Sequence, residues 1–499
     1  VERLLPSGLS IDLDGASLTI EQVAAVAAGA PVTLAPQALA RMGATRAVVD
    51  RAVEDGAPVY GLTTGVAERK RVQLARGSLA AFNRRLIANH LVAQGPPAGP
   101  ELVRATICCL ANGLLTGYPG VRPELAERVA AALNATADGA RLPRLRTLGS
   151  VGEADLGPLA DLAAGLVGDG FELAAGEGLA LIDNNAFSTA AAALALVTAR
   201  RLLDNLEVAA ALDLEAFAGN LDAVHEVVAT ARPQPGLRAS LERLRAALAG
   251  SFLTEPGAAR QLQDPLSFRC LPQLHGAARD LLAYAVGVVE TDCNAALGNP
   301  LVSLEARRPV SQGNFDAVYV ATALDAARIG LAPALVSAAE RCVKLLQATA
   351  SGLSPGLSAD AETADDGLAE LAVAAQSIAV EARLCAQPVS SELVSTSKAE
   401  GIEDRTSMAP LSARRLGEMA GLGTRLLAIE LVVACQAVEL RLGGGDVSAR
   451  LGRGTAAAYR LVRRHVGFAG RGATVPSDLE PLVQALSSAM IEIAEGGEG

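Results

Sequence analysis

The sequence has no tryptophan, and its five tyrosines and eight phenylalanines hold the aromatic content to 3% of 499 residues. Hydrophobic residues still make up 51%, so a sizeable core must be assembled from Ala, Leu and Val, the composition of close helix packing. An excess of positive charge is missing too. Lys and Arg number 43 against 54 Asp and Glu, a formal charge of −11 at pH 7, which argues against nucleic acid as the main partner. Only four histidines occur, His90, His225, His275 and His465, none four residues from another, so neither a histidine-rich zinc site nor another cofactor is expected. The seven cysteines, Cys108, Cys109, Cys270, Cys293, Cys342, Cys385 and Cys435, form no C-x-x-C pair and read as reduced intracellular thiols. The opening Val-Glu-Arg-Leu-Leu-Pro lacks the apolar stretch of a signal peptide. The longest apolar runs are cut by Asp183 or Glu430, short of the ~20 residues of a membrane span. A soluble, cytoplasmic protein without a membrane partner is predicted.

At roughly 150 residues per domain the length allows three units. Thr19, Glu21 and the apolar spacing after them predict a helix start, and Pro36 suits a first helical turn. Pro58–Val66, with two Gly, two Thr and Tyr60, reads as a functional loop. Helical periodicity resumes over 77–95 and 99–118 and breaks at Tyr118-Pro-Gly120, and 141–160 forms a second informative loop that ends in a helix. Beyond Asn184 long Ala/Leu helices are predicted to about residue 250, then over 274–296, 314–350, 364–386 and 409–442. That pattern fits a mainly α bundle of long helices, not α/β alternation or a repeat array. Gly443-Gly-Gly-Asp446 is a loop, and Glu495–Gly499 reads as a disordered tail. The expected division is an active-site-loop region over 1–200, the helix bundle over 201–470 and a C-terminal segment over 471–499, integrated in one fold.

Four polar clusters occur in a recognisable order. Tyr60-Gly-Leu-Thr-Thr-Gly65 is similar to Y-G-x-N-T-G, with Thr63 for Asn. Asn112-Gly-Leu-Leu-Thr-Gly117 with Gly120-Val-Arg-Pro-Glu124 is similar to R-x-N-x-L-x-x-G-x-S-G-V-R. Gln263-Asp-Pro-Leu-Ser-Phe-Arg269 opens a stretch similar to Q-D-x-Y-S-x-R-C-x-P-Q-V-x-G, and Asn299-Pro-Leu301 with Gly313-Asn-Phe315 is similar to D-N-P-L and G-G-N-F. From about residue 10 to about residue 470 the chain resembles the histidine and aromatic amino-acid ammonia-lyase family. The resemblance implies an aspartase/fumarase-like helical subunit in a homotetramer whose active sites draw on three subunits. It also implies a small-molecule substrate.

That family works through methylidene-imidazolone, an electrophile made from the Ala-Ser-Gly of S-V-G-A-S-G-D-L. Here the segment is Ser150-Val-Gly-Glu-Ala-Asp-Leu156, one residue short and without the Ser, so the electrophile is not expected. Without it, a side-chain acid and base face an unactivated C–H bond. The chain's one Ala-Ser-Gly, Ala350-Ser351-Gly352, falls where the family has an unrelated loop and is read as a chance match.

Carried over residue by residue, Tyr60 matches the catalytic tyrosine, the base for the β-proton. Asn89 and His90 match the substrate-selecting pair, and Gln263 and Arg269 match an amide and a carboxylate-binding guanidinium. Leu266 replaces the second tyrosine, Asp183 replaces an Asn and is expected to be an anion, Phe315 keeps the aromatic wall, and Glu403 matches the pocket Glu although Ile402 replaces the Gln before it. Glu153 stands near the electrophile's place, where helix N-termini favour negative charge, as a general base or an anchor for a cationic group. Glu153 and Asp155 could instead only cap the following helix, and His275 reads as structural. Arg269 is expected to be buried, with a substrate carboxylate, Asp264 or Glu403 as partner.

Two functions remain open. One is an enzyme of the ammonia-lyase fold without the electrophile, doing addition, elimination, isomerisation or cyclisation on a small carboxylate-bearing or acyl-activated substrate, with secondary metabolism as a natural setting. The other is a non-catalytic paralogue that binds a ligand or completes the site of an active homologous subunit.

Overall fold

A computed structural model describes residues 10–137, 139, 141–168, 170–360, 365–391 and 401–493. The chain's first six residues and the tail Glu495–Gly499, on which the leader and disorder readings rest, lie outside them. The described structure is mainly helical, with three two-stranded sheets. Two compact units divide the chain: Val1–Val197, Ala285–Asp325 and Pro388–Arg414 form the first, and Thr198–Tyr284, Ala326–Gln387 and Arg415–Gly499 the second.

In the first unit local signals act as read. Thr19 caps the helix Ile20–Ala27: its hydroxyl accepts from Gln22 N at 3.2 Å while the Gln22 amide oxygen accepts from Thr19 N at 2.9 Å, so the reciprocal partner is Gln22 and not Glu21. Pro36 occupies the first turn of Pro36–Glu54. The helix Pro100–Leu115 ends on the Arg41 guanidinium, which donates to Leu115 O at 2.7 Å and Thr116 O at 2.9 Å, satisfying carbonyls the helix leaves open. Two motif residues turn out to be ties of this kind. The Asn112 side chain accepts from Gly15 N at 2.9 Å and donates to Cys293 O at 2.8 Å, and Arg122 forks onto the buried carboxylate of Glu177 with two contacts of 2.8 Å.

The long helices predicted from Asn184 to about residue 250 are two. Ala186–Phe217 stops where Ala218 takes a positive φ of 54° and Asp264 captures Asn220 N at 2.6 Å, and the helix Pro235–Leu248 begins only at its proline. The helix predicted over 77–95 is Leu79–Asn89, closed by His90 and followed by the strand Gln94–Pro97, which pairs antiparallel with Arg146–Leu148.

In the second unit, Arg341 of the helix Val318–Leu346 lies fully buried between two carboxylates. Its Nε is 2.6 Å from Asp213 of Ala186–Phe217 and 3.1 Å from Glu430 of Ala409–Leu442. Burial and the charge of Glu430 push the Asp213 carboxyl well above its ordinary range, and the guanidinium opposes that shift. The reading that charges keep every apolar run short of a membrane span needs correction. Glu177–Phe217, Val318–Leu346 and Ala409–Leu442 reach the length and hydropathy of a span, because one Asp or Glu hardly lowers the average of so many Ala and Leu. Their most apolar windows are 67%, 72% and 83% buried within the protein, as expected of core helices.

Arg341→Ala leaves two carboxylates buried without their cation, and is expected to lower the unfolding free energy by about 3–5 kcal/mol in a denaturant titration. Loss of the exposed Arg415–Glu418 pair, 3.1 Å apart, is expected to cost under about 1 kcal/mol in the same measurement.

Candidate functional site

The Tyr60 loop is folded by its own threonine. Thr63 Oγ1 accepts from Val59 N at 2.8 Å, and Val59 O in turn accepts from Leu62 N at 3.2 Å and Thr63 N at 3.0 Å. Val59 and Leu62 then pack with Val48, Val49 and Val302. Gly61 sits at φ +69°, where a Cβ would stand 2.2 Å from Leu179, so the turn admits only glycine. This holds the half-buried Tyr60 hydroxyl as acceptor of Ala67 N at 3.0 Å. Burial raises the phenol's pKa above its ordinary value, and the charges of Asp183 and Glu403 add to the rise while Ala67 N–H opposes it. At neutral pH the Tyr60 phenol is therefore protonated.

The segment 150–155 is held from three sides. Its backbone bridges that of Asp316, with Ala154 N donating to Phe315 O at 3.1 Å and Ala317 N to Gly152 O at 3.1 Å. On another side Val151 O accepts from Ser407 N at 3.1 Å and Met408 N at 2.8 Å. Gly152, at φ +81°, lies so close to Ser407 that a Cβ would come within 2.1 Å of its hydroxyl. Asp155 supplies the third hold. Fully buried, it accepts from Ser150 Oγ at 2.6 Å, Ser188 Oγ at 2.8 Å and Ser188 N at 2.8 Å. It thus caps Ala186–Phe217, and the side-chain cap expected on the helix Leu156–Val167 that it precedes is not found.

Glu153 makes no such cap among the described residues. One of its carboxylate oxygens is buried without a hydrogen-bond partner, and its carboxyl is pushed up to about 7, by burial first and then by the facing Asp316, with Arg405 partly offsetting. Arg405 donates to Asp316 at 2.9 Å, making a Glu153–Asp316–Arg405 group. Sequence reading passed over Asp316 and Arg405, although they directly follow or neighbour residues it chose. Only the pairing of distant segments gives them a partner.

Asp183 closes the short helix Glu177–Ile182, nine-tenths buried. Its carboxyl is pushed up to about 7 by burial and by the charge of Glu403, against a backbone hydrogen bond from Asn299, so the expected full anion is only partly ionised at neutral pH. Glu403 itself is exposed. Beside Asp183 a cleft of about 40 Å³, lined by Leu62, Cys109, Thr189 and Asp292 among others, has room for a few waters at ~10–15 Å³ each. Asn89 is exposed. His90 Nδ1 lies 2.7 Å from Leu86 O, a group that only accepts, so Nδ1 carries a proton and donates it there.

Gln263, Leu266 and Arg269 belong to the second unit. The expected burial of Arg269 is not found. It is exposed and donates to Gln263 Oε1 at 2.7 Å, because Asp264 turns inward to cap Asn220 N and leaves the guanidinium at the surface. Leu266 is 61% exposed. His275 is fully buried, and burial with the nearby Arg341 and Arg279 keeps its imidazole well below its usual pKa and therefore neutral. Ala350-Ser351-Gly352 lies in a helical turn in which Gly352 N donates to Ala348 O at 2.8 Å, which ties up the amide that a ring closure would need.

The family model for aromatic amino acid lyases matches residues 18–172 and 169–464. A histidine ammonia-lyase of Anaeromyxobacter sp. (strain K) is 34% identical over 516 residues, covering 96% of this chain and 99% of that protein. Among solved structures, histidine ammonia-lyase from Trypanosoma cruzi superposes with a TM-score of 0.86 at 30% identity, covering 96% of this chain and 94% of the other. The ergothioneine-degrading enzyme of Treponema denticola superposes with a TM-score of 0.87 at 26% identity, covering 96% and 98%.

Glu153 and Asp183 are both pushed up to about 7 on folding, from ordinary values of 4.5 and 3.8. Between those values and about 7 the native state binds more protons than the unfolded state, so their contribution to stability falls as pH rises through that window. Calorimetry from pH 5 to pH 8 is expected to show Glu153→Gln and Asp183→Asn gaining stability relative to the parent as pH rises. A constant difference would contradict the raised carboxyls.

Proposed function

The chain belongs to the aromatic amino acid lyase family, and we propose that it is an acid–base enzyme of that fold working without the methylidene-imidazolone electrophile. Glu153 carries the proposal. It stands in the segment that matches the electrophile's tripeptide and holds a half-buried carboxyl pushed up to about 7, suited to taking and returning a proton near neutral pH. The residues there do not fit the ring. Gly152, Glu153 and Ala154 offer no serine to dehydrate, Gly152 is closed in by Ser407, and the Ala154 amide is committed to Phe315 O.

In this reading Glu153 abstracts a proton from carbon, and Asp316 with Arg405 sets its basicity. Tyr60, protonated at neutral pH, supplies a proton to the departing or rearranging group. The substrate is a small carboxylate-bearing or acyl-activated compound that brings its own activation, either an acidified C–H bond or a group that leaves unaided. Phe315, Asn89, His90 and Asp183 shape the pocket, and Glu403 adds negative charge beside Tyr60. Leu266 and Arg269, the latter held by Gln263 and suited to the substrate carboxylate, enter this reading from another subunit of the proposed tetramer. Relatives whose names include histidine ammonia-lyase, tyrosine aminomutase and an ergothioneine-degrading enzyme support lyase or isomerase chemistry without fixing the substrate. A cytoplasmic homotetramer with composite sites is part of the proposal. It is supported by apolar side chains that a lone chain leaves in water, Leu266 at 61%, Tyr319 at 70% and Val373 at 61% exposure.

Intact mass spectrometry is expected to match the unmodified sequence. A protein lighter by two waters would overturn the electrophile-free reading. Histidine, phenylalanine and tyrosine are expected to give no absorbing acrylate. On a turned-over substrate found by screening small acids and thioesters, Glu153→Gln is expected to lower kcat by about 10²–10⁴-fold. Unchanged turnover would assign the activity to a partner subunit that this chain only completes.

A further inference from the structure

Residues 447–477 contain six Arg and one His and no Asp or Glu, in a chain whose formal charge is −11. Most of this charge lies on or beside the helix Arg453–His465 of the second unit. At ~100° per residue, Arg453, Arg460 and Arg464 fall on one stripe, opposite the buried Gly454, Ala458 and Val462. The other arginines have work to do. Arg463 pairs with Glu439 at 2.9 Å, Arg471 with Asp360 at 2.6 Å, and Arg450 lies over the Phe252 ring. Arg453, Arg460 and Arg464 have no side-chain hydrogen bond or ion pair among the described residues.

A hollow of about 360 Å³ opens beside this stripe, within the ~300–1,000 Å³ range of small-molecule sites. Arg460, Arg463, Arg464 and Tyr459 line one side, and the loop Gly445–Ser448 lines the other. That loop leaves the helix Ala409–Leu442 through Gly443, Gly444 and Gly445 at φ +72°, +81° and +78°, a run of left-handed backbone only glycine adopts readily. Gly443 N and Gly444 N close the helix onto Leu440 O and Glu439 O, while the N–H groups of Gly445 and Asp446 donate to nothing among the described residues. The one acidic side chain lining the hollow, Asp446, is occupied by its own loop, accepting from Ser448 Oγ at 3.0 Å and Ala449 N at 3.3 Å.

We propose that this hollow binds a diphosphate-bearing small molecule, a site separate from the Tyr60 and Glu153 residues and independent of the function proposed for them. Arg460 and Arg464, one helical turn apart with Cβ atoms ~5–6 Å from each other, present two guanidinium forks to two adjacent phosphoryl groups. A single phosphate leaves one fork idle. Gly445 and Asp446, whose amides are unbonded among the described residues, line the same hollow.

Isothermal titration of the full-length protein with inorganic pyrophosphate, ADP and coenzyme A, with sulfate as control, tests the site. Pyrophosphate is expected to bind, and the double variant Arg460→Gln/Arg464→Gln to weaken it by about tenfold or more, with far-UV circular dichroism and Tm unchanged. Tighter binding of ADP or coenzyme A supports an organic diphosphate as occupant, and equal binding supports the diphosphate group alone. No binding by any probe, equal binding by parent and double variant, or sulfate binding as tightly as pyrophosphate overturns the proposal. So does a change of oligomeric state in the double variant by light scattering, which would make the stripe a subunit interface.

Discussion

The buried carboxylate of Asp155 fixes the centre of the candidate site. With the hydroxyls of Ser150 and Ser188 and the amide of Ser188 on it, and Asp155 N donating to Asn184 O at 2.8 Å, it pins one loop to the start of a 32-residue helix. A carboxylate in this position cannot be traded for an apolar group without leaving those donors unsatisfied. Once it is fixed, the residues before it have little freedom. Gly152 must take a left-handed turn against Ser407, Ala154 must bond Phe315 O, and Glu153 must face Asp316.

The electrostatics follow from that geometry. A carboxyl forced toward another carboxylate in a half-dry place holds its proton to higher pH, and Arg405 on the far side of Asp316 limits the rise. Asp183 reaches a similar state by burial and the charge of Glu403, and burial, with the charges of the same two acids, raises the Tyr60 phenol above its ordinary value. Two carboxyls are thereby poised near neutrality, which suits proton transfer better than it suits a fixed anion that only grips a cation.

Much of the fold was legible because it is written locally. Thr19, Pro36 and the Ala/Leu periodicity mark helix starts and faces that the structure keeps, and the Gly and Thr of the Tyr60 loop announce a tight turn. Where the reading failed, a distant partner had intervened. Asp264, turned inward onto Asn220 N, leaves Arg269 outside where burial was expected. Asn112 and Arg122, prominent in the motifs, prove to be ties to Gly15, Cys293 and Glu177, since a motif records that a residue is needed and not what it touches.

By itself the sequence determined the helical class, because composition and a 3.6-residue period act within a single helix. It also determined the family, through the order of its motifs. Only the tertiary structure decided the protonation of Glu153, Asp183 and Tyr60, the roles of Asp316 and Arg405, and the separate basic hollow beside Gly445. Proton affinity depends on dielectric and on the nearest charges, and both are set by segments that lie far apart in the chain and meet only when it folds.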